Sequence, residues 1–407
     1  MTDKKIFSRN RILKELYFEE NLSCADLSTK IDKSFPVTAK LIEDLIAVNL
    51  VIETGFAVST GGRRPLTYAL KQNVMYLVSV AMDQFVTRIV VMDMQNNFVS
   101  PIEKVVLPLP DNAGALEILK DKIIQVIHSS GIPKEKFVGI GIGMPGFVDV
   151  EKGINYSFLP LGNNKSITKY IADKIGLPVF IDNDSSLTAL AELRFGAAKN
   201  EKDVMVVNIG WGVGLGLILN GVLFRGHEGF AGEFSHIPFF LNGKLCSCGK
   251  TGCLETETSL LLIVEKAKEG IAEGRLSKLS SLPFDNLEVA SDGIMKAVLE
   301  GDQFAIEIFS KAGYNIGKGV AVLIHLLNPK LIILSGRGSS AGQIWQAPIQ
   351  QALNEHCIPR LYQNTKIEIS TLGIHAELIG AAALVMENYE RIPINKSHPV
   401  SIKAIKA

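Results

Sequence analysis

His236, Cys246, Cys248 and Cys253 fall within one short stretch of the chain. Their spacing, His-x9-Cys-x-Cys-x4-Cys, supplies one imidazole and three thiolates, a full tetrahedral set for Zn2+. Four protein ligands leave no open position for an activated water, so the ion is expected to be structural rather than catalytic. Gly249 and Gly252 let the loop turn tightly around it. Unmetallated thiols in a loop are the alternative.

Two carboxylates flank this set. Glu233 lies three residues before His236, and Glu255 lies two residues after Cys253. With one ring nitrogen on the metal, the other nitrogen of His236 is fixed in place and must find a partner. An imidazole edge and two carboxylates held together suit a polyhydroxylated ligand. Asp182-Asn183-Asp184 follows a buried apolar run and precedes a helical one. Carboxylates at strand ends in α/β folds point into ligand crevices, so Asp184 reads as a general base toward a hydroxyl or as an acceptor for it. A helix N-cap is the plainer reading. Gly210-Trp211-Gly212-Val213-Gly214-Leu215-Gly216 has the composition of a phosphate-cradling loop, although β-turns also collect glycine.

These residues need elements to position them. Residues 6–19 carry apolar side chains at helical spacing, Ser23 is placed to cap a second helix, and Ser34 a third with Pro36 in its first turn. Two short strands around the glycine-rich segment 59–65 complete the pattern of a winged helix-turn-helix. From about residue 74, strands at 75–92, 139–144, 178–182, 204–208, 214–219 and 331–334 alternate with helices near 114–129, 185–195, 258–273, 302–327 and 376–390. This is an α/β body, read as two lobes. The expected divisions are 1–72 for the head, 73–190 plus about 375–392 for the first lobe, 191–374 for the second, and a tail over 393–407.

Composition narrows the partners. The 407 residues hold 42 Lys and Arg against 42 Asp and Glu, so bulk charge gives no pull toward nucleic acid. Within residues 1–70, ten basic residues face nine acidic ones, a net of +1, so any DNA contact must rest on pattern. The candidates are Ser34, Phe35, Val37 and Lys40 at the start of the third helix, and Arg63 and Arg64 on the wing. Phe35 and Val37 suit thymine methyls, Lys40 a phosphate, and the arginines the minor groove or the backbone. No run of about 18 apolar residues appears and Met-Thr-Asp-Lys-Lys does not open a secretory leader. A cytoplasmic protein with no membrane partner is expected. Clustered cysteines there point to metal rather than disulfides.

Across residues 75–390 the body resembles the ROK family of repressors, open reading frames and sugar kinases. The resemblance rests on the cysteine cluster, Gly-x-Pro-Gly-x-Val-Asp at Gly143–Asp149, Asn183-Asp184, and Ala-Gly-Glu-x-x-His at 231–236. It implies a ribonuclease H-like, actin/hexokinase-like fold of two lobes. It also implies sugar contacts from Gly146, Asn183, Asp184, Glu233, His236 and Glu255. The head and its Ser-x-Gly-Gly-Arg-Arg-Pro wing look like those of the repressor branch, the branch of xylose repressors.

Departures from the kinase pattern lie on the nucleotide side. Kinases of the family open with Asp-x-Gly-Gly-Thr, and here the equivalent stretch is Ala81-Met82-Asp83-Gln84-Phe85. Their Gly-Thr-Gly becomes Gly210-Trp211-Gly212, and a later glycine cluster is reduced to Ser335-Gly336-Arg337-Gly338. A carboxylate and a phenyl ring repel and obstruct a polyphosphate. The expectation is therefore a sugar-responsive DNA-binding regulator, a repressor, with no ATP cofactor and Asp184 as a vestigial base position. Its expected partners are operator DNA, a sugar or sugar phosphate, and further copies of itself in a homodimer or homotetramer. The alternative is an ATP-dependent sugar kinase with an accessory winged helix.

Overall fold

The structure, a computed structural model, describes residues 3–57, 64–162 and 165–392. Helix α1 (Asp3–Glu19) buries Ile12, Leu13, Leu16 and Tyr17. Strand β1 (Leu22–Ser23) leads into α2 (Cys24–Ile31), where Ser23 and Asp26 form a reciprocal capping box, a device worth about 1 kcal/mol. Asp32, left-handed at φ 54°, ends α2. Helix α3 (Phe35–Ala47) starts at Ser34 as expected, but the Ser34 hydroxyl makes no cap. Its carbonyl instead accepts from Thr38 N and Oγ1, at 3.0 and 3.1 Å. Strands β2 (Val51–Phe56) and β3 (Leu66–Leu70) pair antiparallel, and β1 joins β3 to give the order β1-β3-β2. The tip of the hairpin, including Arg63, lies outside the described residues, as does the 393–407 tail.

The next strands are β4 (Tyr76–Met82), β5 (Val86–Asp93), β6 (Glu103–Val106), β7 (Phe137–Met144), the small β8 (Val148–Asp149) and β9 (Ile154–Asn155), and β10 (Val179–Asn183). Helices α4 (Ala115–Ser129) and α5 (Ile167–Ile175) connect them. The sheet order is β10-β7-β4-β5-β6, with β4 and β5 antiparallel and β4, β7 and β10 parallel. Residues 75–92 form the strand pair that the sequence suggests. Both β4 and β5 are buried along their whole length, because helices cover both faces.

Beyond β10 come α6 (Asp184–Phe195), β11 (Val204–Ile209), β12 (Val213–Leu219), β13 (Val222–Phe224), α7 (Leu260–Ala272), α8 (Leu287–Leu299), α9 (Gln303–Leu327), β14 (Leu331–Ser335), α10 (Gln346–His356), α11 (Pro359–Tyr362) and β15 (Lys366–Ile369). This second sheet runs β13-β12-β11-β14-β15, again an antiparallel meander followed by two parallel strands. The two sheets share one topology. Helix α12 (Ala376–Glu387) closes the described chain with a turn of 3-10 helix at Tyr389–Arg391.

The chain divides into two compact units, 1–184 with 378–407, and 185–377. The head lies in the same unit as the first sheet. In that lobe Val78, Val80, Ile89, Ile140 and Ile142 pack with Leu119, Ile123 and Ile171 on one face of the sheet. On the other face, β7 presents Gly139 and Gly141 to α12. A Cβ on Gly141 would overlap the backbone carbonyl of Ala381, and one on Gly139 would lie 2.9 Å from Val385. The Gly-Ile-Gly-Ile alternation is thus a period-two strand pattern with a backbone-close helix on its glycine side.

In the second unit, Glu192 of α6 is fully buried. It accepts from the hydroxyls of Ser335 and Ser370 and from Ala197 N. Burial pushes its carboxyl above the ordinary range, and these hydrogen bonds only partly offset this. A folded-state pKa above the unfolded value means that the native state binds the proton more tightly. The stabilisation from Glu192 is therefore full below the unfolded pKa and lost as pH rises through the folded one. Glu192→Gln is expected to gain in melting temperature relative to the parent protein as pH rises from about 5 to about 8. A difference that stays constant over that range would show that Glu192 does not titrate.

Candidate metal centre and effector contacts

The expected ligands converge in the second unit. His236 sits on a short 3-10 turn (Phe234–His236), and Cys253 starts another (Leu254–Glu257). Phe234 and Leu254 are buried against α9, where Gly319 leaves room for both. Gly252, at φ 77°, puts its Cα against Phe240 O in a place no Cβ could occupy. Together these contacts fold the 236–253 loop back on itself.

The four ligand atoms lie within 4.8 Å of one another. His236 Nδ1 is 3.5 Å from Cys246 Sγ, and Cys248 Sγ is 3.6 Å from Cys253 Sγ. A tetrahedral Zn2+ site has S–N edges of about 3.6 Å and S–S edges of about 3.8 Å. These two edges have the length that such a cage requires. Cys253 is fully buried, and burial beside the other two thiols pushes its pKa up to about 12. A cation is what converts such a thiol to a thiolate ligand. The donor set therefore fits a metal ion held by His236, Cys246, Cys248 and Cys253.

Outside the cage, His236 Nε2 faces Glu233 Oε2 at 3.6 Å, and Glu255 Oε2 lies 3.5 Å from Cys246 Sγ. The other oxygen of Glu255 accepts from Val213 N at 3.4 Å. The structure thus brings Glu233, His236 and Glu255 together. It also corrects the phosphate-loop reading of 210–216. A Cβ on Gly212 would strike Glu255 Oε1, one on Gly214 would strike Ser185 Oγ, and one on Gly216 would strike Ala189 Cβ. These glycines admit α6 and a carboxylate.

In the first unit Asn183 Nδ2 donates to Gly146 O at 3.2 Å. Gly146 is left-handed at φ 87°. Asp184 follows as the first residue of α6 and is half-buried. Spacing gave no sign of Asn155, which is buried and organises this corner. It donates to Pro145 O at 2.9 Å and accepts from Ser157 N and Phe158 N at 2.8 and 2.9 Å. Nearby, Asp83 Oδ1 accepts from Phe85 N and Val86 N, both at 2.8 Å. That carboxylate takes the loop amides for itself.

A second feature missed from sequence surrounds Trp211. The guanidinium of buried Arg337 sits 5.4 Å from the Trp211 ring centre and pairs with Asp292 at 3.0 Å and with Glu288. Glu288 and Asp292 stand one helical turn apart on α8, a pairing visible in the sequence only as an i, i+4 acid pair. Ser34, Phe35, Val37 and Lys40 are all exposed at the start of α3, and Lys40 pairs with Glu43 at 3.1 Å. Arg64 is exposed where the wing rejoins β3.

Residues 87–388 match the model of the ROK family. The chain belongs to the ROK family. Among ROK proteins, the xylose repressor of Caldicellulosiruptor bescii is 28% identical over 392 residues, spanning 94% of this chain and 96% of its own. A glucokinase of Halalkalibacterium halodurans is 34% identical over 270 residues, spanning 66% of this chain and 81% of its own. The solved structure of a ROK family transcriptional regulator, a homolog of the E. coli MLC protein, superimposes with a TM-score of 0.77 at 25% identity and covers all of both chains. Among the described residues no helix is long and apolar enough to cross a membrane.

Proposed function

We propose that this chain is a sugar-responsive, DNA-binding transcriptional regulator of the ROK family, acting as a repressor. The observation that carries this reading is the extent of similarity. The xylose repressor matches through the head, with 94% of this chain covered, whereas the glucokinase covers 66%. Two local features support a regulator without kinase activity. Asp83 occupies the amides of the first loop, and Arg337 with Trp211 fills the corner beside the second.

Zn2+ held by His236 and the three cysteines stiffens the loop that carries Glu233 and Glu255. Gly146, Asn183, Asp184, Glu233, His236 and Glu255 contact a cytosolic sugar or sugar phosphate. Ser34, Phe35, Val37, Lys40, Arg63 and Arg64 contact DNA. A homodimer or homotetramer pairs two heads on a pseudopalindromic operator. The reduced thiols of such a site belong to the cytoplasm.

The test takes duplex DNA selected from a random pool by the protein itself. Its affinity is measured by fluorescence anisotropy with and without D-xylose, D-glucose and their phosphates. One of these is expected to shift the operator Kd by about tenfold or more, with no phosphorylation in Mg-ATP. ATP-dependent phosphorylation abolished by Asp184→Asn would establish the kinase instead. An unchanged operator affinity across the whole panel would count against sugar sensing.

A further inference from the structure

Helix α1 is tied to two different parts of the first unit. One set of ties runs to the helices that carry the DNA-facing residues. Arg9 and Lys5 both pair with Asp44 of α3, at 2.5 and 2.7 Å. Arg11 donates to the last carbonyls of α2, those of Ile31 and Lys30, at 2.9 and 2.7 Å.

The second set runs to the end of the chain. Asn10, fully buried, donates to Tyr389 O at 3.2 Å. Lys14 donates to Glu387 O at 3.1 Å and pairs with the carboxylates of Glu387 and Glu390 at 3.1 and 2.9 Å. Burial pulls the Lys14 pKa down, and the two carboxylates more than reverse this, so the ammonium is charged. Tyr17 donates to Asn96 Oδ1 at 2.5 Å in the turn after β5, and Gln95 of that turn donates to Leu70 O at 3.1 Å. The head is thus fastened by α1 and by both sides of the turn at 93–97, well beyond the segment 71–75 that links it covalently.

The far end of α12 makes this arrangement more than an anchor. The chain passes from the second unit back to the first between Glu377 and Leu378, in the first turn of α12. From there the helix runs under β7 to Glu387 and ends on α1. One helix therefore links the point where the chain leaves the second unit to Lys14 and Asn10, and α1 links these to α2 and α3.

We propose that the α12–α1 seam, centred on Lys14, Glu387, Glu390 and Asn10, is the route by which effector binding reaches the DNA-reading helices. It rests on the regulator reading above. Coupling of this kind needs an element with two settings that both ligands bias, and α1 is fastened to both partners.

The experiment uses full-length protein, parent and Lys14→Met, with the selected duplex and the most effective sugar of the panel named above. The parent is expected to change its operator Kd by about tenfold with sugar, and Lys14→Met by less than about threefold. Calorimetric sugar affinity and metal content are expected to stay within about twofold in the variant. Amide hydrogen exchange is expected to quicken selectively in α1–α3 on breaking the seam. A Lys14→Met protein that keeps the full sugar response with unchanged exchange in α1 would overturn the proposal. If Lys14→Met does not fold, Glu390→Gln tests the same seam and is held to the same outcomes. A parent protein that answers no sugar refutes the regulator reading, while slow exchange of its α1 and faster exchange in the variant would still report on the seam separately.

Discussion

Replacing Cys253 with serine is expected to remove the metal and the sugar response together. Cys253 is the most enclosed of the three thiols, and its sulfur lies 3.6 Å from Cys248 and 3.5 Å from the carbonyl of His236. Losing one of four ligands is expected to weaken metal binding by more than the roughly 10- to 100-fold seen for supporting residues outside a coordination shell. The loop between Pro238 and Cys253 contains no regular helix or strand among its described residues, and the metal would add to scattered backbone hydrogen bonds such as Phe239 N to Gly252 O at 2.8 Å and Cys246 N to Lys250 O at 2.8 Å. Released, it frees His236 and Glu255, and sugar affinity is expected to fall by about tenfold or more. Metal content by mass spectrometry and sugar affinity by calorimetry check both parts. Full sugar affinity in a metal-free protein would show that Glu233, His236 and Glu255 keep their places without the ion.

Gly141→Ala is expected to be the most damaging small substitution in the first lobe. The added methyl would have to share space with the Ala381 backbone carbonyl, and with Val385 at 3.2 Å. Backbone cannot rotate out of the way as a side chain can, so α12 must shift. A cost of about 3 kcal/mol or more is expected, read as a lowered urea midpoint. Gly162→Ala, whose new methyl meets nothing within 4 Å, is the control and is expected to be nearly neutral. Equal midpoints for the two variants would mean that α12 does not press on β7 as closely as described.

The metal set was legible because its ligands are local. Four residues in one short stretch need only a loop to bring them together. The helix cap at Ser23 and the glycine-rich end of β7 were legible for the same reason. What sequence could not supply were partners far along the chain. Gly214 and Gly216 have the composition of a phosphate loop, and only the position of α6 shows that they make room for Ser185 and Ala189. Asn155 lies in an unremarkable polar run, yet it holds three backbone groups. The common topology of the two sheets left no visible repeat, because strand order is set by packing and many apolar sequences satisfy one packing. Arg337 read as an eroded glycine cluster. Its structural role depends on Glu288, Asp292 and Trp211, none of them nearby in sequence.

The first unit is built from both ends of the chain, and this fixes an order of assembly during synthesis. Residues 1–184 leave the ribosome first, then the whole of the second unit, and only then residue 378 onward. Domains fold as they emerge, N-terminal first, yet here the earliest lobe has to wait. Until α12 arrives, Gly139 and Gly141 face no helix, and Asn10 and Lys14 lack the partners they hold in the finished protein. A chain broken off before residue 378 carries a head with α1–α3 and no anchorage at Tyr389 and Glu390. Such a head holds to the lobe through the turn at 93–97, and its ties through Asn10 and Lys14 form only after the entire second unit has been made.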